Sequence, residues 1–193
     1  MYSQGDEEKY ILDICPPTGK FLDIGAWDGV TFSNTRALFN QGWSGVLVEP
    51  ASVPFKKLQA LYSGAGNVWL VKAAVCDSPG MVELWETEDA VSTTLASHYD
   101  KWKSAAEYTG CRKVRAVTIE ELVNDHGPFD FVNIDTEGTS VDVFLRLDLC
   151  HMRPTCICVE HDQRIREVMD RATQYGYAIA YQNGENMVLK CGQ

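Results

Sequence analysis

Residues 21–29 read Phe21-Leu22-Asp23-Ile24-Gly25-Ala26-Trp27-Asp28-Gly29. A short apolar run holding one acid, followed by a turn bracketed by glycines, is the pattern of a buried strand feeding a helix. Residues 31–40 read as that helix, with apolar Phe32, Leu38 and Phe39 and a stop at Gly42. The unit then recurs. Residues 45–48 read as a strand, 53–62 as a helix and 68–75 as a strand, giving βαβαβ.

Residues 81–85 and 113–117 read as further strands around a polar insert, and Thr118-Ile119-Glu120-Glu121 spells a capping box for a short helix. Strand, helix, strand and helix follow at 129–134, 140–147, 155–159 and 164–175. Residues 177–181 and 187–190 close as a hairpin around Asn183-Gly184. Such alternation predicts an α/β fold: a mostly parallel sheet with helices on both faces, right-handed crossovers and one C-terminal antiparallel hairpin at an edge. Ligands in such sheets bind beyond the carboxyl ends of the strands, so the chemistry is sought there.

The 193 residues are 45% hydrophobic and 23% charged, which fits a single domain over 1–193. Folding at this size buries roughly 70% of the extended chain's surface, so no disulfide or metal is needed for stability. The seven cysteines are an odd set with no CxxC pair, and a reduced, cytoplasmic setting is expected. Seventeen Lys and Arg against 27 Asp and Glu leave a net charge of −10, with no basic cluster, so a nucleic-acid partner is not expected. No apolar run is long enough for a membrane span, and the acidic residues 1–10 do not form a signal peptide.

At the first strand end, glycines permit positive φ and a close backbone approach to a ligand. A dinucleotide fingerprint would need Gly at 25, 27 and 30, but Trp27 and Val30 stand there, which disfavours a nicotinamide oxidoreductase. Asp23 suits a cationic ligand better than a diphosphate. A plain strand-to-helix turn has the same spacing. The second strand ends in Glu49-Pro50, where a carboxylate can accept both hydroxyls of a ribose. The third ends at Ala74, small enough to leave room for a flat base. Asp77 beyond it either accepts from an exocyclic amine or belongs to the turn at Ser78-Pro79-Gly80.

The fourth strand delivers Asn133-Ile134-Asp135-Thr136-Glu137-Gly138 and the fifth Val159-Glu160-His161-Asp162. Asp135 or Glu137 facing Glu160 or His161 would supply a general base and an orienting acid. Asp135, Glu160 and Asp162 are an alternative set of ligands for Mg²⁺. Helix capping is the plainer role for Glu137 or Asp162 taken alone. The insert at about 86–111 offers Ser92, Thr93, Thr94, His98, Tyr99 and Trp102, which suit a polyhydroxylated substrate under a lid, or simple packing. His126 and His151 read as solvated loop residues, and Arg164, Arg166 and Arg171 as a solvated helix face.

In order along the chain, Phe21-Leu22-Asp23-Ile24-Gly25-Ala26, Thr31-Phe32-Ser33-Asn34-Thr35, Gly42-Trp43-Ser44-Gly45, Val48-Glu49-Pro50, Ile134-Asp135-Thr136-Glu137-Gly138 and Val159-Glu160-His161 resemble the FkbM family of S-adenosylmethionine-dependent methyltransferases. The resemblance implies a Rossmann-like class I methyltransferase sheet and methyl transfer to a hydroxyl of a sugar, glycan or related small molecule. It also implies that Asp23, Gly25 and Ala26 hold the methionine half of the cofactor, with Trp27, Asp28, Gly29 and Asn34 among the cofactor-binding residues. Glu49 with Pro50 would then serve the ribose, and Ala74 with Asp77 the adenine. Asp135 and Glu137 would face the acceptor, and Asp135, Glu137, Glu160 and His161 are the catalytic candidates, His161 or Asp135 taking the proton and Glu137 or Glu160 orienting the pair. Asn133, where many members have Lys or Ser, and Thr139-Ser140, in place of a frequent Ser-Glu, depart from the pattern. A Mg²⁺-dependent O-methyltransferase of a natural product and a cofactor-binding domain without turnover are the alternatives.

Overall fold

A computed structural model describes residues 1–192. In chain order the elements are α1 (Glu7–Ile14), β1 (Lys20–Ile24), α2 (Arg36–Asn40), β2 (Ser44–Val48), α3 (Ser52–Leu61), β3 (Val68–Val71), β4 (Ala74–Val75) and β5 (Gly80–Thr87). They continue as α4 (Ala96–Trp102), β6 (Tyr108–Val117), α5 (Ile119–His126), β7 (Phe131–Ile134), α6 (Ser140–Arg146), β8 (Cys156–Glu160), α7 (Ile165–Gln174), β9 (Tyr177–Gln182) and β10 (Asn186–Cys191).

The main sheet has seven strands in the order β3-β2-β1-β7-β8-β10-β9. Its strands from β3 to β8 run parallel, and β10 runs against both β8 and β9. The closing hairpin therefore puts its second strand inside and β9 at the edge. Strands this apolar need cover on both faces, and alternate residues supply it. Leu22, Ile24, Val132, Ile134, Ile157 and Val159 pack with Leu122, Phe144 and Val168 of α5, α6 and α7. Phe21, Leu47, Phe131 and Cys156 pack with Ile11, Leu38 and Leu58 of α1, α2 and α3.

Register fixes the level of the strand ends. Ile24 lies beside Val48 and Ile134, and Ile134 beside Val159. The turns after β1, β2, β7 and β8 therefore open on one edge. The chain builds outward from β1 on one side and then returns to lay β7 on the other, which makes β1/β7 the switch point where such sheets place ligands.

Several segments depart from the sequence reading. Residues 31–35 are not helical, and α2 begins only at Arg36. Asp28 takes the N–H groups of Val30 and Thr31, each at 2.8 Å, and Ser33 Oγ accepts from the Arg36 N–H at 3.1 Å. Side chains thus compete for the backbone donors a first helical turn would need. The expected strand at 68–75 divides: β4 leaves the main sheet for a second, three-stranded one, β4-β6-β5, pairing Ala74 with Ala116. β6 starts at Tyr108, five residues before the expected 113, because it pairs with β5 along a longer ribbon. α1 is absent from that reading although it carries Tyr10, Ile11, Leu12 and Ile14, and its Glu7 is buried as acceptor for Gly5 N and the Asn183 and Asn186 amides. No helix among the described residues is long and apolar enough to cross a membrane.

Candidate active site

Two cavities open along the carboxyl edge of the sheet. The smaller, about 550 Å³, lies against Val48, Glu49, Pro50, Ala73, Ala74 and Leu84. The larger, about 1910 Å³, is an open basin bounded by Asp23, Ala26, Asn133, Glu160, Asp162, His98 and Trp102 among others. The two share Gly25, Trp27, Ala90, Asp135 and Glu137, so they meet at the switch point.

The turn after β1 holds this junction closed. Gly25 has φ 84°, and a Cβ placed there would fall 1.6 Å from the Asp135 carbonyl oxygen. Only a hydrogen fits between the two strand ends. Trp27 also adopts positive φ, 44°, and donates its N–H to Glu49 Oε2 at 3.0 Å. Glu49 Oε1 accepts from the Ala51 N–H at 2.7 Å. Each oxygen thus has one backbone donor and a lone pair left over. Burial pushes the Glu49 carboxyl up to about 7, with Asp23 and Glu86 adding to the rise and the two N–H groups opposing it.

Asp23 sits 2% exposed at the centre of a polar network between the sheet and α2. It accepts from Thr35 Oγ1 at 2.5 Å and from Asn133 Nδ2 at 2.8 Å, while Asn34 Nδ2 donates to Asn133 Oδ1 at 2.9 Å. Burial raises its pKa and the two bonds oppose the rise. Asn133, the position that departs from the family pattern, is therefore the residue that orients Asp23. Sequence reasoning could not find this role, because nothing in it says that β1 and β7 are neighbours.

The turn after β7 supplies the basin's acids. Asp135 is held well above the usual carboxylate range by burial and then by Glu160 and Glu137; it shares a hydrogen bond with Glu160. Glu160 also accepts from Ser140 Oγ at 2.9 Å, and burial raises its pKa. Glu137 has φ 51°, and burial followed by Glu160 and Asp162 pushes it up to about 8. The insert closes over this turn. Thr93 Oγ1 donates to the Glu137 carbonyl at 2.9 Å, and His98 Nε2 lies 3.5 Å from Glu137 Oε2.

The structure brings together Asp23, Gly25, Ala26, Trp27, Glu49, Pro50, Ala74, Asp135, Glu137 and Glu160 around the joined cavities. Five expected residues lie elsewhere. Asp28 spends its carboxylate on Val30 N, Thr31 N and Thr31 Oγ1, and Gly29 packs toward Leu58 and Leu61 of α3. Asn34 is an interior bridge to Asn133 and Ser3. Asp77 is 71% exposed, in an ion pair with Arg146 at 2.9 Å, and does not line the smaller cavity. His161 is 1% exposed; its Nδ1 accepts from Gln163 N at 3.3 Å and its Nε2 reaches Asn183 O at 3.2 Å. Asp162 and Gln163 both have positive φ and turn His161 into the hairpin loop, away from the cleft.

The Mg²⁺ set also fails to assemble: among the described residues no three His, Cys, Asp or Glu side chains converge as metal ligands. Asp135 and Glu160 bond to each other, and Asp162 accepts from the Ser140 and Val141 N–H groups at the start of α6. Residues missed in the sequence include Leu84, Asp89 and Ala90 on the smaller cavity and Lys101 on the larger. Arg164, read as part of a solvated face, also lines the basin while pairing with Asp142 at 2.7 Å.

A seven-stranded sheet with one reversed strand next to its edge, and a ligand cleft at the central switch point, defines a class I methyltransferase fold. Solved structures share it. The ribosomal protein L11 methylase of Lactobacillus delbrueckii subsp. bulgaricus superposes with TM-score 0.55 at 12% identity, over 97% of this chain and 77% of that one. Precorrin-6y C5,15-methyltransferase of Geobacter metallireducens GS-15 gives 0.51 at 11% identity, over 97% and 87%. Sp1610 of Streptococcus pneumoniae gives 0.51 at 13% identity, over 100% and 72%. Identities this low speak for the fold alone, and no curated protein matches the sequence. The family is settled by sequence: the model of the methyltransferase FkbM domain matches residues 23–179, and the chain belongs to that family.

Proposed function

We propose that this protein transfers a methyl group from S-adenosylmethionine to a hydroxyl oxygen of a sugar, glycan or related small molecule. The observation that carries the reading is the junction of two cavities at Gly25, Trp27, Asp135 and Glu137. One of them ends at a carboxylate with free lone pairs, and the other is wide and polar. The donor set fits the cofactor. Glu49 keeps one lone pair on each oxygen for a pair of ribose hydroxyls, and Pro50, Ala74 and Leu84 give a flat base an apolar slot. When bound, S-adenosylmethionine supplies a methyl group on a positively charged sulfur.

The chain's own residues orient and neutralise. Asp135, Glu137 and Glu160 are costly to ionise in the empty basin, and a cation beside them restores their ionised form. Backbone at Gly25 and Trp27 fixes the distance between the two cavities, which is the orientation on which in-line transfer depends. The carboxylates of Asp135, Glu137 and Glu160 on the basin suit an acceptor rich in hydroxyls. A net charge of −10 opposes a phosphate backbone as acceptor. Among the described residues the acids do not converge as ligands for a metal ion.

Methyl-labelled S-adenosylmethionine incubated with the protein and pooled saccharides, lipids and small metabolites, followed by mass spectrometry, tests the reading. Label on a hydroxyl oxygen of a small molecule is expected. Label only on RNA or protein, or tight cofactor binding without transfer to anything, would replace it.

A further inference from the structure

The roof of the basin carries one group that neither the fold nor the acids account for. α4 lays the His98 ring on the turn after β7, where a Cβ added to Gly138 would come within 3.1 Å of it. One ring nitrogen, Nε2, faces Glu137 Oε2 at 3.5 Å. The other, Nδ1, is buried with no protein partner, although the ring lines the basin. Trp102, one turn further along α4, also lines the basin with its Nε1 unpartnered. Buried polar atoms without a partner, on two side chains that line one cavity, call for a bond that the protein itself does not supply.

An imidazole with one nitrogen 3.5 Å from a carboxyl oxygen and the other without a partner is placed to take a proton on the unpartnered side. The remaining titratable groups do not match this arrangement. Asp135 is engaged with Glu160, and both nitrogens of His161 are engaged by backbone. We propose that His98 is the general base of the reaction, taking the acceptor hydroxyl proton on Nδ1, and that Glu137 is the positioning residue that holds its Nε2–H. The proposal rests on the methyl-transfer reading above.

Atoms and charge balance in the step. The acceptor O–H breaks with its proton going to Nδ1, and an oxygen lone pair forms the new C–O bond. The C–S pair stays on sulfur, leaving a neutral thioether, and the positive charge ends on the imidazolium beside Glu137. Charged neighbours act in both directions. Burial, and then Lys101 on the same helix, lower the His98 pKa, which keeps the ring neutral and able to accept. Glu137, 3.5 Å across the contact, favours the protonated ring when the cationic cofactor holds that carboxyl ionised, and Asp135, Glu160, Asp162 and Glu185 line the same basin.

Histidine labelled with ¹⁵N gives a readout that needs no acceptor. In the full chain at pH 9.5, where the Glu137 carboxyl is ionised, His98 is expected as the Nε2–H tautomer, and on lowering the pH it titrates below the ordinary imidazole value. The second arm uses His98→Asn with methyl-labelled S-adenosylmethionine and the acceptor pool. Single-turnover transfer should fall about 100-fold or more, the range general-base catalysis supplies. Calorimetric affinity for S-adenosylhomocysteine should stay within about twofold, since no ground-state contact to the base is lost. Glu137→Gln should keep more of the rate and move the acid limb of the pH profile to lower pH, because the imidazolium loses its anion. An Nδ1–H tautomer, or transfer by His98→Asn within about threefold of wild type with an unmoved acid limb, overturns the proposal. Failure of wild-type protein to bind S-adenosylhomocysteine would instead remove the methyl-transfer reading, and the tautomer would still report on His98.

Discussion

Glu137 is a buried acid held in a left-handed backbone conformation, and its protonation sets a pH dependence. Its folded value, about 8, lies above the ordinary 4.5, because burial and then Glu160 and Asp162 penalise the charge. A raised carboxyl contributes its full stability below the unfolded value and loses it as pH climbs from 4.5 through about 8. Each unit of separation corresponds to about 1.4 kcal/mol. Glu137→Gln keeps the volume and stays neutral, so its urea midpoint should match wild type at pH 4.5 and exceed it at pH 8.5. A gain on the order of 1–3 kcal/mol is expected. Equal midpoints at both pH values would mean that Glu137 is solvated. Neighbouring residues show how much of the site was readable at this scale. Glu49 and Asp135 follow from their places at strand ends. Asp77 and His161 occupy equivalent places, but their side chains turn to Arg146 and to the hairpin loop, and side-chain direction after a strand is set by backbone φ and distant partners.

At the scale of elements, the insert is joined to the sheet by few bonds. Thr93 is 1% exposed and its hydroxyl donates to the Glu137 carbonyl at 2.9 Å. Thr93→Val keeps the shape and leaves that carbonyl without its donor, which costs about 1–3 kcal/mol. Faster hydrogen exchange over residues 88–107 is expected, with exchange in β1, β7 and β8 unchanged; protection lost evenly through the molecule would contradict a local clamp. The elements differ in how visibly the sequence announces them. β1, β2, β7 and β8 are apolar on both faces and stand out, as does α5, whose capping box forms with Thr118 N to Glu121 Oε2 at 2.8 Å and Glu121 N to Thr118 Oγ1 at 3.2 Å. α1 was hidden because a buried Glu7 looks like a surface residue until Asn183 and Asn186 come round to meet it. Residues 31–35 look helical by spacing, yet Ser33 and Thr35 bind side chains and backbone that a helix would need free.

For the whole molecule, the cleft is acidic within a chain that is already acidic, at −10. A ligand with a positive sulfur should therefore bind with release of protons from the raised carboxyls, and a neutral thioether with fewer. Affinity for S-adenosylmethionine should rise between pH 6 and pH 8.5, by up to about tenfold per unit for each proton released. The rise for S-adenosylhomocysteine should be shallower. Calorimetry in buffers of different ionisation enthalpy checks this, and parallel slopes for the two ligands would count against cation binding at the acids.

The near-contact between Gly25 and the Asp135 carbonyl ties these scales together. It acts as a spacer one hydrogen atom thick between the halves of the cleft. A methyl group there could be accommodated only by prising β1 from β7, and that wedge would misplace Glu49 and the acids together. Gly25→Ala is thus a lesion of alignment: each half keeps its chemistry and loses its counterpart.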